Sequence, residues 1–403
     1  MIIALCFGLL RFVTREDKEV ETVVERMYET SDIDLSYETD DLKEDINSTY
    51  AYIIDLNGKE VLLDKQSEEQ IYPASMTKIL TAIVAIESCS DLQAEVLITE
   101  EMLAGLWEAS VAGFAVGEKP TVEELLYGVA LPSGADAANA LACYIDGSVS
   151  QYIERMNNFA SSIGMSHSHF MNTTGLHDQE HYTTCRDMET LLEYCVQNPV
   201  FAKIFSTSKF TTRPLAYHPD GLELDSTFMN SFSDDFTAPG LVGGKTGYTN
   251  PAGLCLAYWA ENHDMKILTV TAKADIDGHY KHILDMSTIL NYFDSWERKP
   301  LISEGDPLKT YTINTVNDQY EESVTIPESF VRDIPSDANI EVVTNIPDSF
   351  NTALNRQEYV YQMAVLQDGK VVNLQDIPVS IPSEKKFFGR VRLWFDALFS
   401  KNQ

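Results

Sequence analysis

The chain has 403 residues, of which 44% are hydrophobic, and this is ample for a core in one large or two ordinary domains. Acidic residues outnumber basic ones by 62 to 29, so the formal net charge is −33. This excess argues against nucleic acid or an anionic membrane as a partner of the main body, and its plain interpretation is solubility.

Residues 1–10 form an apolar run, MIIALCFGLL. The run is too short to span a membrane, and it is typical of the central part of a secretory signal. No basic region precedes it and no small-residue cleavage site follows, so we interpret it as a signal-like remnant, with a short buried helix as the alternative. Residues 11–46 are acidic and weakly patterned, which predicts a linker or a loosely docked helix.

A Ser-x-x-Lys motif opens the first strong helical pattern, PASMTKILTA, at residues 73–82. Ser75 and Lys78 are three residues apart, so on a helix they share one face. A serine hydroxyl is a weak nucleophile until a neighbouring base removes its proton. A lysine can be that base when burial, the helix dipole or a second cation lowers its pKa. Two further matches begin at Ser206 and Ser383, but neither opens an apolar helix, and we interpret both as accidents.

Two later segments carry polar groups that suit a binding cleft. Ser133 lies between two helical patterns, in the tight loop LPSGAD. Lys245 and Thr246 follow two glycines and precede Gly247 and Tyr248 in the segment GGKTGYT. Glycines let a strand lie close to a ligand, and a fixed cation beside a hydroxyl is suited to holding a carboxylate.

Taken together and in this order, the motifs resemble those of penicillin-binding proteins and class A β-lactamases. The surrounding segments, among them TVEELLYGVALPSGADAANALA and NTTGLHDQEHYTT, look more specifically like the D-alanyl-D-alanine carboxypeptidases, the low-molecular-mass penicillin-binding proteins. The resemblance covers roughly residues 47–383. It implies a bacterial cell-wall enzyme that removes the terminal D-alanine from peptidoglycan stem peptides, is acylated by β-lactams, and needs no metal or organic cofactor.

The resemblance also implies a role for each site residue. Ser75 is the nucleophile, Lys78 is its base, and Ser133 relays a proton to the leaving amine. The backbone N–H groups of Ser75 and Tyr248 form an oxyanion hole. The residues that bind the substrate are Lys245, Thr246, Gly247 and Tyr248.

One position departs from the family's pattern. The second motif usually reads Ser-x-Asn, but Ala135 stands where the asparagine is expected, and Asn139 comes four residues too late to replace it in register. In the family, that asparagine contacts the catalytic lysine and the substrate backbone. We therefore keep a non-catalytic wall-binding or penicillin-sensing protein as an alternative, which acylation without turnover would mark.

Other enzymes share the three motifs. A β-lactamase would need the Glu-x-x-Leu-Asn segment that supplies its deacylating glutamate, and the chain has none. A D,D-endopeptidase or a transpeptidase would use the same residues on a different acceptor. The sequence separates these from a carboxypeptidase only by resemblance.

The remaining patterns predict an α+β catalytic domain at residues 47–298. An Asn-Gly turn between two apolar runs predicts a hairpin at its start, and a second hairpin follows the Lys245 strand. Helical patterns lie between the hairpins, and one near residues 279–293 closes the domain. Strands at both ends with helices between them indicate one antiparallel sheet flanked by helices, the β-lactamase/transpeptidase-like architecture that the resemblance implies.

The C-terminal part has a different pattern. Short alternating strands and an Asp-Gly turn at 368–369 predict a small all-β domain at residues 301–383 without a catalytic constellation. Residues 384–403 predict an amphipathic helix that is too short and charged to span a bilayer but suits a membrane surface. The alternative is a helix packed on the body or on a dimer partner. The signal-like run and a membrane-surface helix together predict an exported protein at the extracytoplasmic face of the bacterial cell membrane.

Two histidines have the spacing of metal ligands on a helix. His177 and His181 are four residues apart, but they lie in a loop that contains Gly and Asp, with no third ligand in view. We expect a structural role for them and no metal. The cysteines outside the N-terminal run form no Cys-x-x-Cys pair, so core thiols are expected.

Overall fold

The computed structural model describes residues 22–107, 109–231, 237–276, 280–385 and 390–394. Within them the chain divides into two compact units. The larger unit is Ser36–Glu297, and the smaller unit combines the described parts of residues 1–35 and 298–403. The signal-like run predicted at residues 1–10 lies outside the described residues.

Most helices of the larger unit lie in the chain between its two β-hairpins. Helix α1 precedes the first hairpin and α8 follows the second. The α-helices of this unit are α1 (Asp40–Asp45), α2 (Thr77–Ser88), α3 (Val122–Ala130), α4 (Ala135–Asp146), α5 (Val149–Ser162), α6 (Cys185–Val196), α7 (Pro199–Phe205) and α8 (Lys281–Phe293).

Strands occur in both units and dominate the smaller one. They are β1 (Thr22–Val24), β2 (Tyr50–Asp55), β3 (Glu60–Lys65), β4 (Lys209–Thr211), β5 (Glu223–Asp225), β6 (Leu241–Thr249), β7 (Gly253–Asn262), β8 (Met265–Ala274), β9 (Trp296–Ile302), β10 (Pro307–Asn314), β11 (Gln319–Thr325), β12 (Phe330–Pro335), β13 (Ile340–Thr344), β14 (Ser349–Asn351), β15 (Gln357–Gln367) and β16 (Lys370–Ile381).

The larger unit contains a five-stranded antiparallel sheet in the order β3-β2-β8-β7-β6. The N-terminal hairpin joins the C-terminal strands because Ala51 of β2 pairs with Thr271 of β8. Strand β6, which carries Lys245, is at an edge of this sheet among the described strands. One side of its backbone is therefore available to a peptide substrate.

Both faces of the sheet are covered by helices, because alternate residues of β7 point to opposite sides. Leu256 and Tyr258 pack in one apolar cluster with Met286 of α8. Ala257 and Trp259 belong to the main core on the other face, which also contains most of α2. This arrangement confirms the predicted α+β class, an antiparallel sheet flanked by helices.

Helix α2 is the central helix of the main core. Every residue from Thr77 to Ile86 is buried, because the sequence is apolar around most of the helix and not only on one stripe. The lysine of the Ser-x-x-Lys motif is therefore carried into the protein interior by the helix that contains it.

The acidic stretch that the sequence predicts as a linker or loosely docked helix is structured where it is described. Helix α1 places Leu42 in an apolar cluster with Ile46, Phe293 and Trp296. Strand β1 pairs in parallel with β15 within the smaller unit. One apolar residue in a six-residue helix gives no period, which is why the sequence pattern did not reveal α1.

The described strands of the smaller unit centre on β15, which pairs with β1, β13 and β16. The hairpin turn from β15 to β16 is Asp368-Gly369, and both residues have positive φ, as a two-residue hairpin turn requires. Ile313, Met363 and Val379 belong to the apolar core of this unit.

The predicted C-terminal amphipathic helix is described only in part. Residues 390–394 are helical, and most of the remainder of 384–403 lies outside the described residues. In the part of the chain that the structure describes, none of the helices combines the length and the apolar character needed to cross a bilayer.

Candidate active site

Ser75 lies in a turn and not in the helix that follows it. It is the middle residue of a 3-10 turn, Ala74–Met76, and α2 begins at Thr77. Ala74 has a φ of 47°, in the left-handed region that residues with a Cβ atom disfavour. The backbone directly before the serine is therefore strained, as is common at functional turns.

Two glycines allow neighbouring backbone to close around this turn. A Cβ atom on Gly175 would lie 1.9 Å from the Ala74 carbonyl oxygen, and one on Gly247 would lie 2.8 Å from the Pro73 carbonyl oxygen. Gly247 belongs to β6, and Gly175 belongs to the loop between α5 and α6. The Ser75 turn is held between β6 and the loop between α5 and α6. A side chain at position 247 would collide with the turn, which explains why the Lys-Thr-Gly motif has a glycine there.

Lys78 is buried and contacts the nucleophile candidate directly. Its Nζ donates to Ser75 Oγ at 3.1 Å and to the Thr174 carbonyl at 2.6 Å. Burial lowers the pKa of Lys78 well below its usual value, the charge of Lys245 lowers it further, and the charge of Asp136 opposes both. A lysine in this environment is suited to being the neutral base that the serine hydroxyl needs.

Ser133 lies in the loop between α3 and α4 with a φ of 62°. Its side chain is buried, and its hydroxyl has no hydrogen-bond partner among the described residues, Ser75 and Lys78 included. A buried hydroxyl without a partner is destabilising, and so is a positive φ in a residue with a Cβ atom. Ser133 combines both features. Such a combination is typical of a side chain retained for function.

Lys245 is buried on β6, where its Nζ donates to the carbonyl of its neighbour Thr246 at 2.9 Å. Burial lowers the pKa of Lys245 to about 7. Along the strand, Lys245 and Gly247 are buried, whereas Thr246 and Tyr248 are more exposed, as alternation predicts. Thr246 is thus partly exposed next to a buried lysine.

A cleft of about 350 Å³ opens above the nucleophile candidate. Its walls come from the Ser75 turn and from the end of β6 with the residues that follow it. Residues 174–177 of the segment NTTGLHDQEHYTT form another wall, and residues 109–110, which no sequence pattern indicated, complete the lining. The lining residues are Ser75, Lys78, Ala109, Ser110, Thr174, Gly175, Leu176, His177, Tyr248, Thr249, Asn250 and Pro251.

The position that departs from the family's pattern is fully buried. Ala135 is the first residue of α4, and its N–H donates to the Ser110 carbonyl at 2.8 Å. Asn139, one helical turn later, accepts a hydrogen bond from Thr173 Oγ1 at 2.7 Å. Asn139 therefore supports the segment that supplies the Thr174 carbonyl to the catalytic lysine candidate, although it does not occupy the family's asparagine position.

Asp136 holds another wall of the cleft in place. Its buried carboxylate accepts the backbone N–H groups of Ala112 at 2.7 Å, Gly113 at 2.8 Å and Phe114 at 3.1 Å. These residues follow Ser110, which lines the cleft, after one intervening residue. The sequence carried a signal for this role, because Asp136 is an acidic residue inside an otherwise apolar helix pattern.

The two histidines lie in different surroundings. His181 is buried, with Nδ1 accepting from the Met171 N–H at 3.0 Å and Nε2 2.8 Å from Thr77 Oγ1. His177 is exposed at the cleft, and its ring packs edge-on against Tyr72. Within the described ranges of the chain, no group of three potential ligands could hold a metal ion.

Comparisons with known proteins identify the family to which the chain is similar. A model of the D-alanyl-D-alanine carboxypeptidase family matches residues 37–276, which is more than half of the chain. The chain is 26% identical over 349 residues to the D-alanyl-D-alanine carboxypeptidase DacF of Bacillus subtilis (strain 168). That match covers 84% of this chain and 86% of the Bacillus protein.

Solved structures share the fold. The Streptomyces K15 DD-transpeptidase is 27% identical and superimposes with a TM-score of 0.55, covering 61% of this chain and 97% of that one. Penicillin binding protein 5 from Haemophilus influenzae is 20% identical, with a TM-score of 0.59, and covers 84% of this chain and 97% of its own length. At that identity the second likeness is evidence for the fold alone.

Proposed function

The chain belongs to the D-alanyl-D-alanine carboxypeptidase family, and we propose that Ser75 is the nucleophile with which it removes the terminal D-alanine of peptidoglycan stem peptides. It is a serine peptidase of the penicillin-binding proteins and functions in cell-wall biogenesis. The observation that carries the assignment of Ser75 is the 3.1 Å contact between its Oγ and the buried amine of Lys78.

The first half-reaction follows from that contact. Neutral Lys78 takes the proton of Ser75, whose oxygen attacks the carbonyl of the penultimate D-alanine. The carbonyl oxygen gains negative charge, and we place it between the backbone N–H groups of Ser75 and Tyr248. The carbon–nitrogen bond then breaks, which leaves an acyl-enzyme and requires a proton for the leaving amine of D-alanine.

Ser133 is the proposed donor of that proton. Its hydroxyl is buried with no hydrogen-bond partner among the described residues, so a substrate amine would provide one. The proton reaches it from Lys78, which took it from Ser75 during the attack, so Lys78 is neutral again once the acyl-enzyme has formed. Water then enters the cleft and attacks the acyl-enzyme with Lys78 again as the base. The ester bond to Ser75 breaks, Lys78 returns the proton to Ser75 Oγ, and the shortened peptide is released.

Substrate orientation is assigned to β6. Lys245 and the Thr246 hydroxyl hold the terminal carboxylate, and the edge of β6 that pairs with no other described strand extends along the peptide backbone. Gly247 has no side chain, so β6 lies close to the nucleophile's turn. A β-lactam carries a carboxylate and a strained amide in a similar arrangement, so it acylates the same serine.

Covalent labelling tests the nucleophile. Ser75→Ala is compared with Ser206→Ala, because Ser206 begins a second Ser-x-x-Lys match that does not line the cleft. A fluorescent penicillin should label the unaltered chain and Ser206→Ala but not Ser75→Ala. Labelling of Ser75→Ala at the usual rate would show that another residue is the nucleophile.

We further propose that the protein acts at the outer face of the cytoplasmic membrane, with residues 384–403 as an interfacial helix. Peptidoglycan lies outside that membrane, and the segment KKFFGRVRLWFDALFSK combines aromatic residues with basic edges in an otherwise acidic chain. Deleting residues 385–403 should release the exported protein from vesicles that contain anionic lipid while sparing D-alanine release. Continued binding by the shortened chain would contradict the proposal.

A further inference from the structure

A chain of hydrogen bonds runs from a buried histidine to the backbone before Ser75, and the mechanism above does not use it. The Met171 N–H donates to His181 Nδ1 at 3.0 Å. Because that nitrogen accepts, the proton of the neutral ring is on Nε2. Nε2 lies 2.8 Å from Thr77 Oγ1, so the histidine donates to the threonine, which donates in turn to the Ala74 carbonyl at 2.8 Å.

The surroundings keep both side chains in this arrangement. His181 is 2% exposed and Thr77 is fully buried, and burial lowers the pKa of His181 to about 4, so the ring stays neutral at pH 7. The ring of Phe170 packs edge-on against the imidazole at 5.4 Å. The flanking backbone is fixed as well, because Thr183 and Ile71 exchange both of their backbone hydrogen bonds.

The end of the chain is the strained residue of the nucleophile's turn. Ala74 has a φ of 47°, and its carbonyl accepts both the N–H and the hydroxyl of Thr77. The Ala74 carbonyl and the Ser75 N–H belong to one planar peptide group, and in a trans peptide they point in opposite directions. Whatever holds that carbonyl therefore also sets the direction of the Ser75 N–H.

We propose that His181 and Thr77 are positioning residues, which hold the Ala74 carbonyl and thereby aim the Ser75 N–H at the developing oxyanion. This inference rests on the proposed function, in which that N–H is an oxyanion-hole donor. Neither residue lines the cleft. Their effect is on the rate of the bond-forming step, because an oxyanion donor stabilises charge that is present only in the transition state.

Four single variants of the full chain and one double variant test the inference, with the rate of β-lactam acylation and the affinity of the preceding non-covalent complex as readouts. Thr77→Val removes the hydroxyl and keeps the shape, whereas Thr77→Ser keeps the hydroxyl. His181→Phe removes both ring nitrogens. His282→Phe is the matched control, because His282 is also a buried histidine whose pKa burial lowers to about 4, but it lies on α8.

Thr77→Val and His181→Phe should each acylate roughly 10- to 100-fold more slowly, with non-covalent affinity changed less than about threefold. Thr77→Ser and His282→Phe should stay within about threefold of the unaltered chain in both readouts. The double variant of Thr77→Val with His181→Phe should be no slower than Thr77→Val alone, since both residues act through the same hydroxyl.

Three results would overturn the inference while leaving Ser75 as the nucleophile: normal acylation by Thr77→Val, equal losses in Thr77→Ser and Thr77→Val, or multiplied losses in the double variant. Failure of the unaltered chain to acylate at all would instead remove the proposed function. Thermal denaturation of each variant shows that the rates belong to folded protein, and Thr77→Ser keeps the test valid if His181→Phe does not fold.

Discussion

Lys78 and Lys245 are both buried, and after burial itself the charge of Lys245 is the largest influence that lowers the pKa of Lys78. Asp136, at the start of α4, acts in the opposite direction. The two charged groups that act on the proposed base thus come from different elements, β6 and α4. Their opposing signs make the electrostatics of the base testable.

Removing the cation should make the base harder to deprotonate. In Lys245→Met, Lys78 keeps its proton to a higher pH, because the repelling charge is gone. Activity requires neutral Lys78, so the acidic limb of the pH profile for β-lactam acylation should move to higher pH. Lys203→Met, which alters an exposed lysine paired with Glu123, is the control and should leave the limb in place.

Removing the anion should do the reverse. In Asp136→Asn the acidic limb should move to lower pH, and acylation at the optimum should fall roughly tenfold or more, because the wall at residues 112–114 loses its carboxylate acceptor. Asp285→Asn is the matched control, since Asp285 is a buried carboxylate that accepts the N–H groups of Asn47 and Ser48. Asp285→Asn should lower the free energy of unfolding and leave the acidic limb of the pH profile in place. A limb that moves upward in Asp136→Asn would refute this electrostatic account.

The close approach at Gly175 predicts a loss of activity that exceeds the loss of stability. Gly175→Ala would place a Cβ atom 1.9 Å from the Ala74 carbonyl oxygen. Gly164→Ala is the control, because Gly164 also has a positive φ, of 98°, but nothing lies within 4 Å of the added atom. Both variants should lose about 1–2 kcal/mol to backbone strain. Only Gly175→Ala should lose acylation, by roughly 100-fold or more.

If acylation by Gly175→Ala matched that of Gly164→Ala, the loop between α5 and α6 would not be what holds the turn. Rates are compared below the unfolding midpoint of both variants, so that the difference reports on the site and not on the folded fraction.

Much of the site follows from the sequence because its motifs act through local geometry. Three-residue spacing brings Ser75 and Lys78 together, and an apolar pattern around α2 predicts that the lysine is buried. The hairpins follow from turn residues and alternation, whereas the position of β6 at an edge of the sheet is known only from the strand order.

Other features depend on contacts between distant parts of the chain, which a single sequence does not encode locally. Ser110 lines the cleft through a loop with no regular pattern. Helix α1 and strand β1 are stabilised by partners more than 200 residues away, and their own patterns are too short to show a period. The 3-10 turn at Ser75 was also missed, because the helical pattern continues through it.

Glu189 on α6 predicts a pH-dependent effect on stability. Burial raises the pKa of its carboxyl to about 8, and its Oε1 has no hydrogen-bond partner among the described residues. A carboxyl whose folded pKa lies above its unfolded value contributes stability at low pH, which is lost as the pH rises from about 4.5 towards 8. Glu189→Gln should therefore raise the free energy of unfolding at pH 7.5 by roughly 3 kcal/mol and leave it unchanged near pH 4.

Denaturant unfolding at the two pH values measures this difference. Glu154→Gln, at an exposed glutamate of α5, is the control and should change stability by less than about 0.5 kcal/mol at either pH. A gain in Glu189→Gln that is equal at both pH values would show that charge burial is not its cause.

The most direct test of the central claim is the release of D-alanine from a peptide that ends in D-Ala-D-Ala, with the full chain and its Ser75→Ala variant. We predict steady release over many turnovers by the unaltered chain, and none by Ser75→Ala. Steady release would also show that Ala135, in place of the family's asparagine, is compatible with both half-reactions. Penicillin labelling without D-alanine release would contradict the account, because it would mark a protein that is acylated but does not turn over.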